Sequence, residues 1–161
     1  MESSLLFFLI GLAIFGVDRL TKKERTTIRL LAFIIAGMIT GGILSSLIKF
    51  PVLLSVRAPW FAMGIIGAIA GLIIYIADKR NLMSSPGIQY VATILLGLVL
   101  AGLSYGFMKF YMIYSRTETI QQVDNSVLFI AHLFMGFLII FGYTFPMRWF
   151  RLKESRKKTN D

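Results

Sequence analysis

The chain has 161 residues, 57% of them hydrophobic, with a mean hydropathy of +0.75. A domain this small cannot hide that much apolar surface in a core surrounded by water, which excludes an ordinary soluble globule and points to lipid as the solvent. Seventeen Lys and Arg stand against eight Asp and Glu, a net charge of +9, and Cys is absent, which excludes disulfides and thiolate metal sites.

The apolar residues fall in five runs. Each is continuous rather than alternating, so the expected class is an all-α integral membrane bundle and not a barrel. The first run, 3–17, gives only about 22 Å of helix against a hydrocarbon core of about 30 Å; the stems of Arg19 and Lys22 are long enough to snorkel beyond it. It reads as an uncleaved anchor, because Met1-Glu2 is no basic leader, no small-x-small cleavage site follows, and the basic residues come after the run. The second run covers 30–48 and is stopped by Pro51. Thr21-Lys22-Lys23-Glu24 before it matches a capping box, which starts the helix at Thr21. The third covers 59–77, with Pro59 suited to the first helical position, Trp60 to the interface, and Asp78-Lys79-Arg80 closing it. Ser85-Pro86-Gly87 breaks the chain before the fourth, 88–108, and Asp124-Asn125-Ser126 offers the N-cap of the fifth, 127–147, with Pro146 near its end.

Basic residues alternate in density between the two sides. Thirteen (Arg19, Lys22, Lys23, Arg25, Arg29, Lys79, Arg80, Arg148, Arg151, Lys153, Arg156, Lys157, Lys158) share one side, and four (Lys49, Arg57, Lys109, Arg116) the other. The positive-inside rule then gives five transmembrane helices with the N-terminus out and the C-terminus in. If the first run only lies in the interface, four spans keep the same orientation. Residues 1–150 form one transmembrane domain, and 151–161 a basic cytoplasmic tail of a plasma-membrane protein.

Spans two and four echo each other at an offset of 60: Ile28 with Ile88, Ala32 with Ala92, Ile34 with Ile94, Gly37 with Gly97, Gly42 with Gly102, Lys49 with Lys109 and Phe50 with Phe110. This suggests a duplicated hairpin, 28–80 and 88–150, of the parallel-repeat kind. Apolar helices that draw on few residue types also align by accident, and spans three and five align poorly. Gly37 and Gly41, Gly67 and Gly71, Gly97 and Gly136 are the small residues expected to admit close helix packing.

His132, the only histidine, lies about 9 Å inside the outer end of span five by helical rise. An ionisable side chain at such depth is a candidate for function. Ser104, Tyr105, Ser45 and Ser46 lie at comparable depth and are expected to line a polar pocket near the outer leaflet with it. Gly102-Leu103-Ser104-Tyr105-Gly106 matches the G-x-S-x-G string, which in soluble hydrolases needs a strand–turn–helix setting and here lies in an apolar helix. Ser104 on one helix and Ala131-His132 on another resemble the dyad of rhomboid intramembrane proteases. The resemblance implies a serine nucleophile activated by His132 as general base. Tyr105 stands where those enzymes have glycine, and their second-helix His and Asn have no counterpart. The blander reading is a neutral His132 that hydrogen-bonds across helices.

Asp18 and Asp78, flanked by Arg19 and by Lys79-Arg80, lie at inner helix ends and read as interface ion pairs; no carboxylate falls within a span. Arg148, Arg151, Lys153, Arg156, Lys157 and Lys158 fit contact with an anionic inner leaflet rather than with nucleic acid. No metal site, cofactor or phosphate loop is expected. The favoured function is a non-enzymatic accessory protein that packs with itself or a membrane-protein partner. The alternatives are a small oligomeric transporter or channel using the outer pocket, and an intramembrane serine hydrolase.

Overall fold

The computed structural model describes residues 2–45, 60–82, 86–115 and 125–160. It contains five helices: α1 (Glu2–Thr21), α2 (Thr26–Ser45), α3 (Trp60–Lys79), α4 (Pro86–Ser115) and α5 (Asn125–Asn160). There is no strand among the described residues. Helices are what apolar runs must form away from water, because each satisfies its backbone N–H and C=O groups internally. Four of them, α2 to α5, are long and apolar enough to cross a membrane. Their apolar windows of 18 to 25 residues give about 27–38 Å of rise, against a hydrocarbon core of about 30 Å.

Local signals set most boundaries. Pro86 opens α4, where a missing N–H costs no helix bond. The end of α3 is a Schellman motif: the Leu82 N–H donates to the Ala77 carbonyl at 3.0 Å, the Asn81 N–H to that of Asp78 at 2.9 Å, and Asn81 sits at φ 54°. One expectation is overturned. Thr21 does not start a helix but ends α1, its hydroxyl donating back to the Val17 carbonyl at 2.8 Å while the Glu24 N–H closes a turn on the Thr21 carbonyl at 2.9 Å. An i−4 carbonyl was already within reach of the hydroxyl, and that local bond wins over the capping-box pattern. The fifth helix also outruns its expected span, continuing through Pro146 and past Met147 to Asn160.

Two hairpins, α2–α3 and α4–α5, make the closest pairings, and α1 lies between them against α2 and α5. Contact between α3 and α4 is slight and includes the Phe61 and Tyr111 rings, 5.3 Å apart. The core gathers Ile10 and Ile14 of α1, Ile66 and Ile74 of α3, and Met135 and Ile139 of α5. Outward, Ile28, Leu31, Ile35 and Ile43 of α2 and Val91, Leu95 and Leu98 of α4 stay exposed; apolar surface of this extent suits lipid or a protein partner better than water.

Glycine permits the backbones to touch. A Cβ on Gly37 would overlap the Gly67 carbonyl, and one on Gly67 the Gly37 carbonyl; Gly41 and Gly71 face the carbonyls of Met63 and Phe33 in the same way. In the second hairpin a Cβ on Gly136 would stand 2.5 Å from the Gly97 carbonyl oxygen, and one on Gly97 2.9 Å from the Phe137 ring. Gly67 follows Gly37 by 30 residues and Gly136 follows Gly97 by 39, so a gapless offset of 60 sets the first helices of the hairpins in register but not the second. Gly11 and Gly142, which the stripe pattern did not single out, bring α1 against α5 through the Ile139 and Phe8 carbonyls.

Candidate functional site: a charged clamp where four helices meet

The strongest concentration of charge inside the described bundle is not the expected outer pocket. It joins Asp18 of α1, Arg29 of α2 and Asp78 of α3, with Tyr143 of α5 beside them. The Arg29 Nε donates to Asp18 Oδ1 at 3.2 Å, and Nη2 donates to the same oxygen and to Asp78 Oδ2, the latter at 2.8 Å. The Tyr143 hydroxyl donates to Asp18 Oδ2 at 3.1 Å.

Each charge stands at the helix end that disfavours it. Asp18 and Asp78 lie in the last turns of α1 and α3, and Arg29 in the first turn of α2, whereas helix dipoles favour cations at C-termini and anions at N-termini. The three are therefore held by one another. Asp18 is 6% exposed, and the chain needs the guanidinium to tolerate a carboxylate there. An aromatic floor supports the clamp: the Arg29 guanidinium lies 5.6 Å from the Phe33 ring centroid, Phe33 meets Tyr75 edge-on, and Phe15 meets Tyr143 edge-on. The Tyr75 hydroxyl donates to the Thr26 carbonyl at 3.3 Å, tying α3 to the start of α2 a second time.

The ion-pair expectation is thus corrected in its partners. Arg29, from another helix, holds both carboxylates; Arg19 also lies over the Phe15 ring at 5.4 Å. Neighbours in a helix point about 100° apart, so a residue adjacent in sequence cannot share a partner's face. Both carboxylates also lie inside helices rather than beyond them, and Asp78 falls within the apolar window of α3, Phe61–Lys79.

At the other end, His132 and Tyr105 are brought together, their ring centroids 6.0 Å apart and edge-on, with Phe129 on the far side of Tyr105 at 5.5 Å. Both His132 and Ser104 are buried, but no hydrogen bond joins them. The Ser104 hydroxyl donates to the Ala101 carbonyl at 3.0 Å, and His132 Nδ1 meets the Leu128 carbonyl at 2.8 Å, so it carries the proton. Each polar group is satisfied one turn back on its own helix, and the serine–imidazole dyad is not assembled. Ser45 closes α2; its side chain, and Ser46 altogether, lie outside the described residues. Arg148 stacks on Tyr90, with Cζ 3.6 Å from the ring centroid. Arg151, Lys153, Arg156, Lys157 and Lys158 fall on the continuation of α5, their side chains outside the described residues.

No family model, curated protein or solved structure matches the chain. Function therefore has to be argued from the sites themselves. Among the described residues no three His, Asp or Glu side chains assemble into a possible metal site. Chemically the clamp is a fastener: one guanidinium shared by two carboxylates, and a phenol that recruits a fourth helix.

Proposed function

We propose that this is a small multipass protein of the plasma membrane, N-terminus outside and C-terminus inside, that works without catalysis as a helix-packing partner for another membrane protein or for its own copies. The observation that carries this reading is the clamp. The charges a transporter would offer to a substrate are taken up in joining α1, α2, α3 and α5, and Ser104 and His132 turn to their own backbones. The orientation is supported by the thirteen basic residues on the side that holds Arg29, Arg148 and the tail.

The test is affinity purification from native membrane with the mass of the solubilised particle. A stoichiometric membrane protein, or a defined oligomer, is the expected result; a lone monomer would sink the reading. Because the chain has no cysteine, single cysteines at positions 2 and 160 report orientation directly with an impermeant thiol reagent: position 2 should label on intact cells and position 160 only after lysis.

A transporter remains the second reading, favoured by one fact: the clamp holds two carboxylates against one guanidinium, and ionisable groups at membrane depth mark ion pathways. Cysteines at Ser104 and Tyr105 distinguish the two. Labelling from water at either position favours transport, and silence at both favours packing.

A further inference from the structure

We infer that the start of α4 and the last apolar turn of α5 form a binding site for a phospholipid head group that offers a phosphate together with a hydrogen-bond donor, as phosphatidylethanolamine does. Among the described residues two buried polar side-chain atoms have no partner, and both belong to this place: Oε1 of Gln89 and Nε of Arg148. Gln89 is 1% exposed. Its amide nitrogen donates to the Thr144 carbonyl at 3.2 Å, which fixes the nitrogen toward α5 and leaves the oxygen bare. Thr144 stands one turn before Arg148, so a single stretch of α5 carries both the partner of Gln89 and the guanidinium.

Arg148 is held in place by stacking on Tyr90, the residue after Gln89, at 3.6 Å. No carboxylate neutralises it: among the described residues both ion pairs belong to Arg29. The site therefore presents a stacked cation with a bare donor and, one turn back along α5 at Thr144, the residue that holds the bare acceptor of Gln89. Buried polar groups are nearly always satisfied, so the fitting ligand brings an acceptor for Arg148 and a donor for Gln89. The positive end of α4, which begins at Pro86, adds attraction for phosphate.

The depth is that of a head group. Trp149 and Tyr90 are 66% and 58% exposed, and such aromatics sit at the membrane–water interface. The apolar windows of α4 and α5 begin at Gly87 and end at Trp149, on either side of the site. A phosphodiester meets Arg148, and an ammonium meets Gln89 Oε1. Phosphatidylcholine has the same net charge and the same phosphate, but its methylated nitrogen donates no N–H. The inference rests on the membrane reading and not on the partner role, because lipid binding in micelles can fail while a partner still co-purifies, and the reverse.

The test is native mass spectrometry of the full chain in detergent, titrated with phosphatidylethanolamine, phosphatidylcholine and inorganic phosphate. Equal head-group charge removes the general attraction of the basic tail from the comparison. The wild type should prefer phosphatidylethanolamine by about tenfold, the factor one good hydrogen bond gives. Gln89→Leu should bring it down to the phosphatidylcholine level and leave phosphatidylcholine unchanged. Arg148→Gln should weaken both lipids. Gln89→Leu removes the bare acceptor together with the bond to the Thr144 carbonyl, so a cooperative thermal transition close to the wild-type temperature is expected and separates a lost ligand from a lost fold. Wild-type lipid preference in both variants would overturn the site. Competition by inorganic phosphate as strong as that by the lipid would overturn the lipid as its occupant.

Discussion

The Tyr143 hydroxyl donates to Asp18 Oδ2 at 3.1 Å across 125 residues of chain. The other carboxylate oxygen of Asp18 is held by Arg29. One side chain thus ties the first helix to the second and to the last, and the clamp that fastens α2 to α3 also closes the bundle around α1.

Removing Arg29 should be the most damaging single change at this site. Arg29→Met leaves two carboxylates without their cation, and breaking a buried pair costs about 3–5 kcal/mol. The Arg29 and Asp78 side chains remain 21% and 22% exposed, which moves the expected loss to the lower end, about 3 kcal/mol. The midpoint of unfolding in mixed detergent measures it. The triple variant Arg29→Met, Asp18→Asn, Asp78→Asn should recover most of the loss, because no charge is then left uncompensated. A single variant as stable as wild type would mean that the clamp does not hold the helices.

Tyr143→Phe removes one hydrogen bond to a carboxylate. Such bonds contribute about 1.5–3 kcal/mol in water-soluble proteins, and interhelical ones in membranes about 0.6 on average, so about 1 kcal/mol is expected. The loss should shrink to near zero in an Asp18→Asn background. A double-mutant cycle reads this coupling; purely additive losses would show that the tyrosine acts through packing alone.

Glycines should divide sharply by what lies opposite. Gly37→Ala and Gly67→Ala drive a methyl group into backbone carbonyls, which cannot yield as a side chain does, so both should destabilise the α2–α3 hairpin. Gly102 and Gly106 have nothing within 4 Å of a built Cβ. There alanine should be neutral or stabilising, since it gains about 1 kcal/mol of helix propensity over glycine. Equal effects at Gly37 and Gly102 in the same unfolding assay would contradict the packing described.

Asn81 at φ 54° predicts an ordered tolerance. Asn81→Gly should hold or raise stability, because glycine enters this region without strain. Asn81→Val should lower it by about 1–2 kcal/mol, the strain of a side chain in the left-handed region. Thermal unfolding of the two variants decides the order.

Continuous apolar runs were enough to place five helices, because in such segments the backbone has one way to satisfy itself. Pro86 and the residues after Asp78 marked helix ends for the same local reasons. The clamp was not legible. Its partners lie 11 and 49 residues apart in the chain, and proximity in sequence pointed to Arg19 and to Lys79, whose side chains leave the helix in other directions. A signal was nonetheless present: Asp18, Arg29 and Asp78 each sit at a helix end opposed by its dipole, a placement that needs a partner from elsewhere. The outer cluster was legible in part: counted depth set His132 and Tyr105 at one level, where their rings meet. Depth along a helix can be counted, but the bonds from Ser104 to Ala101 and from His132 to Leu128 are local options that a depth count does not weigh.

The place of α1 between the hairpins has a consequence for how the protein is made. Asp18 leaves the ribosome early and Arg29 follows 11 residues later, while Asp78, the second carboxylate on that guanidinium, comes only with α3. The phenol partner of Asp18 comes last, about 6–25 s later at synthesis rates of about 5–20 residues per second. Until then the first helix has no seat against α5 and rests chiefly on α2. The final helix is thus the latch of assembly, and a chain stopped before it leaves Asp18 Oδ2 without its phenol.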